Sequence, residues 1–318
     1  MFSMILKFQA FLERMKKNKG LWFSILTLTA LLGIVGTLTY LNTMTNRAAK
    51  NLYESTNTSY FQNLDSRLTA SLEKITILGT VLLDNQAFMA TMNSGVGVSG
   101  QLEKIASEVN SIGKNKIEIT LYNKSGATLG SSAKDINGSV ELYGSKAFQQ
   151  VVKTNQFIST IEYQNGAVFL KALFPLQNGI LETKQSIDFL VEEYDARDKI
   201  FQVLMDKDFI DMKNVQKFAY KKIGKSEISV QEKVDEDFLE QIQDLDFDKL
   251  IKDKYILTDE NFILARPILD VENKKVGVIL ISENILKRNG LPNMTKSIST
   301  GITTAAMGLV VALLVLMI

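Results

Sequence analysis

The 318-residue chain contains no cysteine and no histidine. Without cysteine there are no disulfides and no thiolate zinc sites. Without histidine the commonest general base, the usual hydrolase triads and most transition-metal sites are gone as well. An enzyme is therefore not expected, and no cofactor or metal is assigned. An excess of charge of one sign is also lacking: 36 Lys plus Arg stand against 35 Asp plus Glu, a net of +1. No basic field is left to hold nucleic acid. Proline is scarce, with three in the whole chain, so long stretches run without a backbone breaker.

What is abundant is uncharged apolar sequence at the two ends. Residues 20–41, "GLWFSILTLTALLGIVGTLTYL", carry no charge over 22 positions, and a bilayer crossing takes about 20 apolar residues. Trp22 and Tyr40 stand near its ends, as interfacial aromatics do. A cleaved signal peptide would have a shorter core, about 7–15 residues, and a small-residue cleavage site. Residues 297–318 form a second uncharged run, ending on "TTAAMGLVVALLVLMI". Lys7, Arg14, Lys16, Lys17 and Lys19 precede the first run against a single Glu13, and such a bias marks the cytoplasmic side. The expectation is a two-pass protein of the inner (cytoplasmic) membrane. Residues 1–19 lie inside, 20–41 and 297–318 cross, and 42–297 are extracytoplasmic. The outside portion carries 31 basic and 34 acidic residues.

Beyond the first run, Leu64, Leu68, Leu72, Ile75, Leu78 and Leu82 recur at helical spacing and predict one long helix over about 43–90. The breaker "SGVGVSG" follows at 94–100. A short helix comes next, with Leu102, Ile105, Val109 and Ile112 on one side. The period then changes from helix to strand. "KIEITLYNKSGATLGSS" (116–132) reads as two strands about a turn at Asn123–Gly126. "FISTIEY" (157–163), "AVFLKALFPL" (167–176) and "GILETKQSIDFL" (179–190) read as further strands with hairpin turns at "QNG". The order then restarts. "KIFQVLMDKDFI" (199–210) is a strand and turn. An acidic helix near 231–251 carries Val234, Phe238, Ile242 and Leu245. "NFILARPIL" (261–269) and "VGVILISENIL" (276–286) flank the polar turn "DVENK". Pro175 and Pro267 fall near the ends of the penultimate strands, and Asn123-Lys124 and Asp206-Lys207 match as first turns. This pattern predicts a tandem repeat of one α+β module.

A membrane run, a long helix, two small sheet modules and a return to the membrane resembles the double Cache sensing region of a bacterial methyl-accepting chemotaxis receptor. The carriers are "GILETKQSIDFL" and "KKVGVILISENIL", each closing one module. The resemblance implies an α+β fold: a long N-terminal helix with two tandem PAS-like antiparallel-sheet modules, flanked by two transmembrane helices. Its parts are the helices of 42–115, a membrane-distal module 116–198, a membrane-proximal module 199–286 and a connector 287–296. It implies a homodimer and a cytoplasmic signalling module that is missing from this chain. The aromatic- and Arg-rich motif of the amino-acid-binding branch has no equivalent in "YQNGAVFLKALF". Alternatives are the sensor half of a histidine kinase or cyclase, and an envelope interaction protein with no small ligand.

Ligand chemistry is sought where polar groups interrupt buried strands. Lys171 does so inside "AVFLKALFPL", and a buried ammonium needs a partner. By strand alternation Glu182, Lys184, Ser186 and Asp188 share one face. The functional expectation is a small polar metabolite, such as a carboxylate, held by Lys171 and Lys184 with Tyr163 beside it. Tyr122 and Asp188 complete the set. The structural expectation is a solvated sheet face with a Lys171–Glu182 ion pair. Arg266, alone in "FILARPIL", is a second candidate, with Asp259 or Asp270 as its structural partner. Asp244, Asp246 and Asp248 alternate, but Lys249 and Tyr255 stand where a calcium loop needs Gly and Glu, so they read as a solvated acidic face.

Overall fold

The computed structural model describes residues 19–112, 116–133, 145–164, 167–210, 222–223, 227–229, 235–258, 260–285, 300–301, 304–305 and 308. It divides into two compact units. One comprises Met1–Thr56 with Lys287–Ile318, the other Asn57–Leu286.

In the first unit the described chain is helical. Helix α1 spans Lys19–Asp84 and so begins in this unit, just ahead of the first uncharged run. Hydroxyls there are turned back on the helix. Ser24 donates to the carbonyl of Gly20, Thr37 to Gly33, Thr39 to Val35 and Thr43 to Thr39, which shields polar groups in an otherwise apolar segment. Leu28, Leu32, Val35 and Tyr40 are exposed. Among the described residues no single helix is both long and apolar enough to cross a membrane; a bent pair, Leu31–Asp84 with Gln86–Ser94, meets the criteria by length and composition. Several side chains of 20–41, most of 297–318 and the whole 287–296 connector fall outside the described residues.

The second unit is α+β, with every strand pair antiparallel. Helix α1 enters it as a ridge and stops at Asp84, earlier than the sequence predicts, because Asn85 caps a new helix, α2 (Gln86–Ser94), by accepting the Phe88 amide. Of the predicted stripe, Leu64, Leu68, Ile75 and Leu82 are buried. Helix α3 (Val98–Ile112) follows. Its buried side is Val98, Leu102 and Ala106, whereas Ile112 is 90% exposed, so the predicted stripe is corrected toward the N-terminal turns.

The first sheet holds β1 (Ile117–Asn123), β2 (Thr128–Ser131), β3 (Ile158–Gln164), β4 (Ala167–Pro175) and β5 (Gly179–Ser186) in the order β2-β1-β5-β4-β3. Strand β5 ends at Ser186 rather than running to 190. Ser186 and Asp188 form a turn there, and helix α5 (Phe189–Asp195) takes over. Helix α4 (Lys146–Thr154), not anticipated from the sequence, covers this sheet and is capped by Ser145, which accepts the Phe148 amide. The second sheet holds β6 (Lys199–Asp206), β7 (Lys222–Ile223), β8 (Glu227–Ser229), β9 (Tyr255–Leu257), β10 (Asn261–Leu269) and β11 (Lys275–Asn284), ordered β7-β8-β6-β11-β10-β9. Residues 231–234 of the predicted 231–251 helix lie outside the described residues, and the rest forms two helices, α6 (Glu236–Gln241) and α7 (Phe247–Asp253). Asp235 and Asp246 cap them by accepting the amides of Phe238 and Lys249.

Leaving out the edge strand β7, the two sheets have the same strand order, and their registers coincide. Pro175 faces Ile180 and Pro267 faces Val278; Asn123 faces Gly179 and Met205 faces Gly277. The two glycines are therefore equivalent, and both sit against backbone. A Cβ at Gly179 would lie 2.2 Å from the Tyr122 carbonyl oxygen, and one at Gly277 2.5 Å from that of Leu204.

Helix α1 packs on both sheets. Tyr60 donates to Glu283 at 2.6 Å and Asp65 pairs with Arg266 in the second; Thr183 donates to the Ile75 carbonyl at 2.8 Å in the first. A second link joins the sheets directly. Lys146 of α4 holds Asp270, at 3.0 Å, and Glu272 in the β10–β11 turn. Burial pushes the Asp270 carboxyl up, but the Lys274 amide, the Lys146 ammonium and the Glu272 amide outweigh it and hold it below the usual range.

Gly179→Ala is expected to force β1 from β5 and to lower stability by about 1–3 kcal/mol, read by chemical denaturation of the purified chain. Because the folded Asp270 value is depressed, its stabilisation is complete above the ordinary carboxylate value of about 3.9 and is lost as pH falls through the lower folded value. Asp270→Asn is expected to flatten that acid limb in a stability–pH profile.

Candidate functional site

The face of the first sheet turned toward α4 is built by register. Glu118 faces Lys184, Thr120 faces Glu182, and Lys171 faces Lys184 across β4 and β5. Thr160 faces Lys171 across β3. The alternation of strand side chains then places Glu118, Thr120, Tyr122, Glu162, Gln164, Lys171, Glu182 and Lys184 on this one face. The opposite face, with Leu181 and Thr183, meets α1. Both faces are buried: residues 181–185 are all enclosed. The solvated face of the structural expectation is corrected accordingly, since α1 covers one side and α4 lies over the other.

Lys171 has 0% exposure. Its ammonium lies 2.8 Å from Glu162 Oε2 and 3.6 Å from Glu182 Oε2. Burial by itself would lower its pKa, but Glu162 and Glu182 outweigh that and hold it above the ordinary lysine range. Lys184 lies 3.2 Å from Glu118 and 3.8 Å from Glu182, and its ammonium stands over the Phe169 ring. Tyr122 donates to Glu182 Oε1 at 3.2 Å. Burial, then the Glu182 carboxylate, push its phenol far above the ordinary tyrosine range, so the hydroxyl keeps its proton. Ser145 donates to both oxygens of Glu162, at 2.7 and 2.9 Å. Gln164 Nε2 is buried with no hydrogen-bond partner among the described residues, and Glu182 Oε2 has the 3.6 Å approach of Lys171.

Of the residues singled out from sequence, Lys171, Lys184 and Tyr122 therefore converge. Tyr163 does not: it faces Val168 and points to the side opposite Lys171. Asp188 lies beyond the strand, exposed, and accepts the Ser186 hydroxyl. Arg266 pairs with Asp65 of α1, while Asp270 is held by Lys146. Arg266 occupies the register position equivalent to Phe174 and serves the α1 contact. Glu118, Glu162, Gln164 and Ser145 were missed. Only Ser145 carried a signal, a cap residue before "KAFQQVV" with its apolar pair three and four residues apart.

The second sheet supplies a control within the molecule. Register equates Lys171 with Ile263, Glu182 with Leu280, Lys184 with Ser282, Glu118 with Ile200 and Tyr122 with Leu204. There Leu204, Ile263, Ala265, Val278 and Leu280 join Phe238, Leu239, Ile242, Phe247 and Leu250 in an apolar core. The fold thus sets mainly apolar side chains on this face in one module, with the uncharged Gln202 and Ser282 among them, and an ionic cluster in the other. Three carboxylates and two ammoniums are not needed for closure.

Lys171→Ala is expected to strand the buried Glu182 and cost about 3–5 kcal/mol. Lys171→Ile with Glu182→Leu, copying the second sheet, is expected to recover most of that loss in the same denaturant titration.

No family model matches the sequence, and no curated protein matches it. Among solved structures, the chain is similar to the extracellular domain of vpHK1S-Z8, a protein described as a histidine kinase. The TM-score is 0.44 at 16% identity, covering 73% of this chain and 95% of that one. It is also similar to an extracellular ligand binding receptor from Desulfohalobium retbaense DSM5692, with TM-score 0.33, 12% identity and coverage of 68% and 39%. A third is the periplasmic domain of Vibrio cholerae LuxQ, with TM-score 0.30, 9% identity and coverage of 68% and 97%.

Proposed function

We propose that the chain is the input part of a transmembrane receptor of the methyl-accepting chemotaxis type, and that its first sheet binds a small polar molecule outside the cell. One observation carries the binding reading: positions that are Ile263 and Leu280 in one module are Lys171 and Glu182 in the other, with Glu162, Glu118 and Lys184 around them. Buried ionic groups bring little net stability over apolar replacements, so a function is the better account of their presence. The uncharged runs at 20–41 and 297–318 and the basic residues before the first support the membrane placement.

The charge count refines the ligand. Each lysine already faces two carboxylates, so a bare carboxylate meets no unneutralised ammonium here. With three carboxylates against two ammoniums, the better match is a small molecule carrying an amine or another cationic donor. It would take up the oxygens of Glu182 and Glu118 and leave Tyr122 as a donor. Binding would be transmitted by a differential fit to two arrangements of the domain, moving the final helix by about 1–2 Å.

The test is a thermal-shift screen of the full chain in lipid nanodiscs against amines, amino acids and organic acids. A true ligand at a hundredfold excess over Kd should add about 2.7 kcal/mol of stability. The shift is expected among amine-bearing compounds and should disappear in the Lys171→Ile, Glu182→Leu chain. A screen that moves nothing, or a shift that survives the double substitution, overturns the assignment.

A further inference from the structure

The charged face does not end at the first sheet. Glu162, which holds Lys171 at 2.8 Å, also accepts the Ser145 hydroxyl through both oxygens. That hydroxyl in turn accepts the Phe148 amide at 3.2 Å and so caps α4. A hydroxyl has one proton to give, and here it goes to Glu162 while the lone pairs serve the helix. The charge of the cluster and the start of α4 are thus fixed by the same oxygen. The next residue, Lys146, leaves the first sheet altogether and grips Asp270 and Glu272 in the β10–β11 turn.

That turn is closed by its own hydrogen bonds. Asp270 Oδ1 accepts the amides of Glu272 and Lys274, and its own amide donates to the Lys274 carbonyl. Asn273 completes the turn in the left-handed region, at φ 61. Val271 packs on the apolar cluster of Tyr122, Ala147, Phe148, Val151, Leu173 and Ile180 beneath α4. From the turn, β11 runs to Glu283, which accepts the Tyr60 hydroxyl of α1. A continuous set of contacts therefore leads from Lys184 and Glu182 through Lys171, Glu162 and Ser145 to Lys146, the β10–β11 hairpin and α1.

We propose that Ser145 and Lys146 are the positioning residues that couple the ionic cluster of the first sheet to the β10–β11 hairpin of the second. A change in what Glu162 holds alters the cap of α4, and Lys146, one residue on, carries the change to Asp270. By reciprocity, a change at the hairpin is felt at Glu162. The link stands on these contacts alone; its use in signalling rests on the proposed binding at the cluster.

The experiment needs no ligand. Amide hydrogen exchange is measured on the full chain in nanodiscs, reading the 271–274 turn. Glu162→Gln removes the charge that Ser145 serves and is expected to change exchange at the turn by about threefold to tenfold. The effect should vanish in a Lys146→Ala background and persist in Lys146→Arg, which keeps the ion pairs. Ser145→Ala should reproduce it and Ser145→Thr, which keeps the hydroxyl, should not. A merely structural role for α4 would not follow that pattern. If Glu162→Gln loosens the whole first sheet, the Ser145→Ala and Ser145→Thr pair reads the same link without touching a buried charge. An unchanged turn in Ser145→Ala, or an effect of Glu162→Gln undiminished by Lys146→Ala, overturns the link. Either result leaves the ligand screen standing, and an empty screen leaves the link standing.

Discussion

A lysine side chain with no exposed surface at residue 171 obliges the first sheet to bring negative charge to it. Much of the chemistry on that face follows. Glu162 and Glu182 come in from the flanking strands, Lys184 and Tyr122 balance Glu182, and Ser145 is drawn to Glu162. The second sheet fills the equivalent face under its helices with mainly apolar side chains, Ile263 and Leu280 standing where Lys171 and Glu182 stand in the first. The difference between the modules therefore lies in side-chain chemistry laid over one backbone plan.

That plan was legible where a period is long or a marker residue is rare. The stripe from Leu64 to Leu82 carried α1, and β1 to β6, β10 and β11 fall close to their predicted spans because apolar alternation sets them, whereas the two- and three-residue strands β7, β8 and β9 are too short to show a period. With only three prolines in the chain, the match of Pro175 with Pro267 was informative, and the registers place them opposite equivalent residues. Helix α4 was not legible from periodicity because it is nine residues long and its buried side is only Ala147, Phe148 and Val151. The single acidic helix of 231–251 divided because two aspartates each cap a short helix, which alternation along one helix cannot reveal.

The site was half legible for a related reason. Lys171 interrupts an apolar run and announces itself. Its partners do not: Glu118 and Glu162 look like ordinary solvent-facing strand residues until pairing is known. Tyr163 was placed on the wrong side because adjacency in sequence says nothing of which neighbour shares a face with Lys171 across a hairpin. Only the register, Thr160 against Lys171, puts Glu162 inward and Tyr163 outward. Long-range contacts such as Arg266 with Asp65 and Lys146 with Asp270 join segments more than a hundred residues apart and leave no local trace.

The paired glycines at 179 and 277 carry a mechanical implication. Where each closing strand enters its sheet, it lies so near the carbonyl of the opening strand that even a methyl group is excluded. Such seams resist sliding and spreading, so the opening and closing strands of each module behave as one plate. Within each module a side chain larger than hydrogen at this one point would part the first strand from the last, so both modules keep the same residue at the same place.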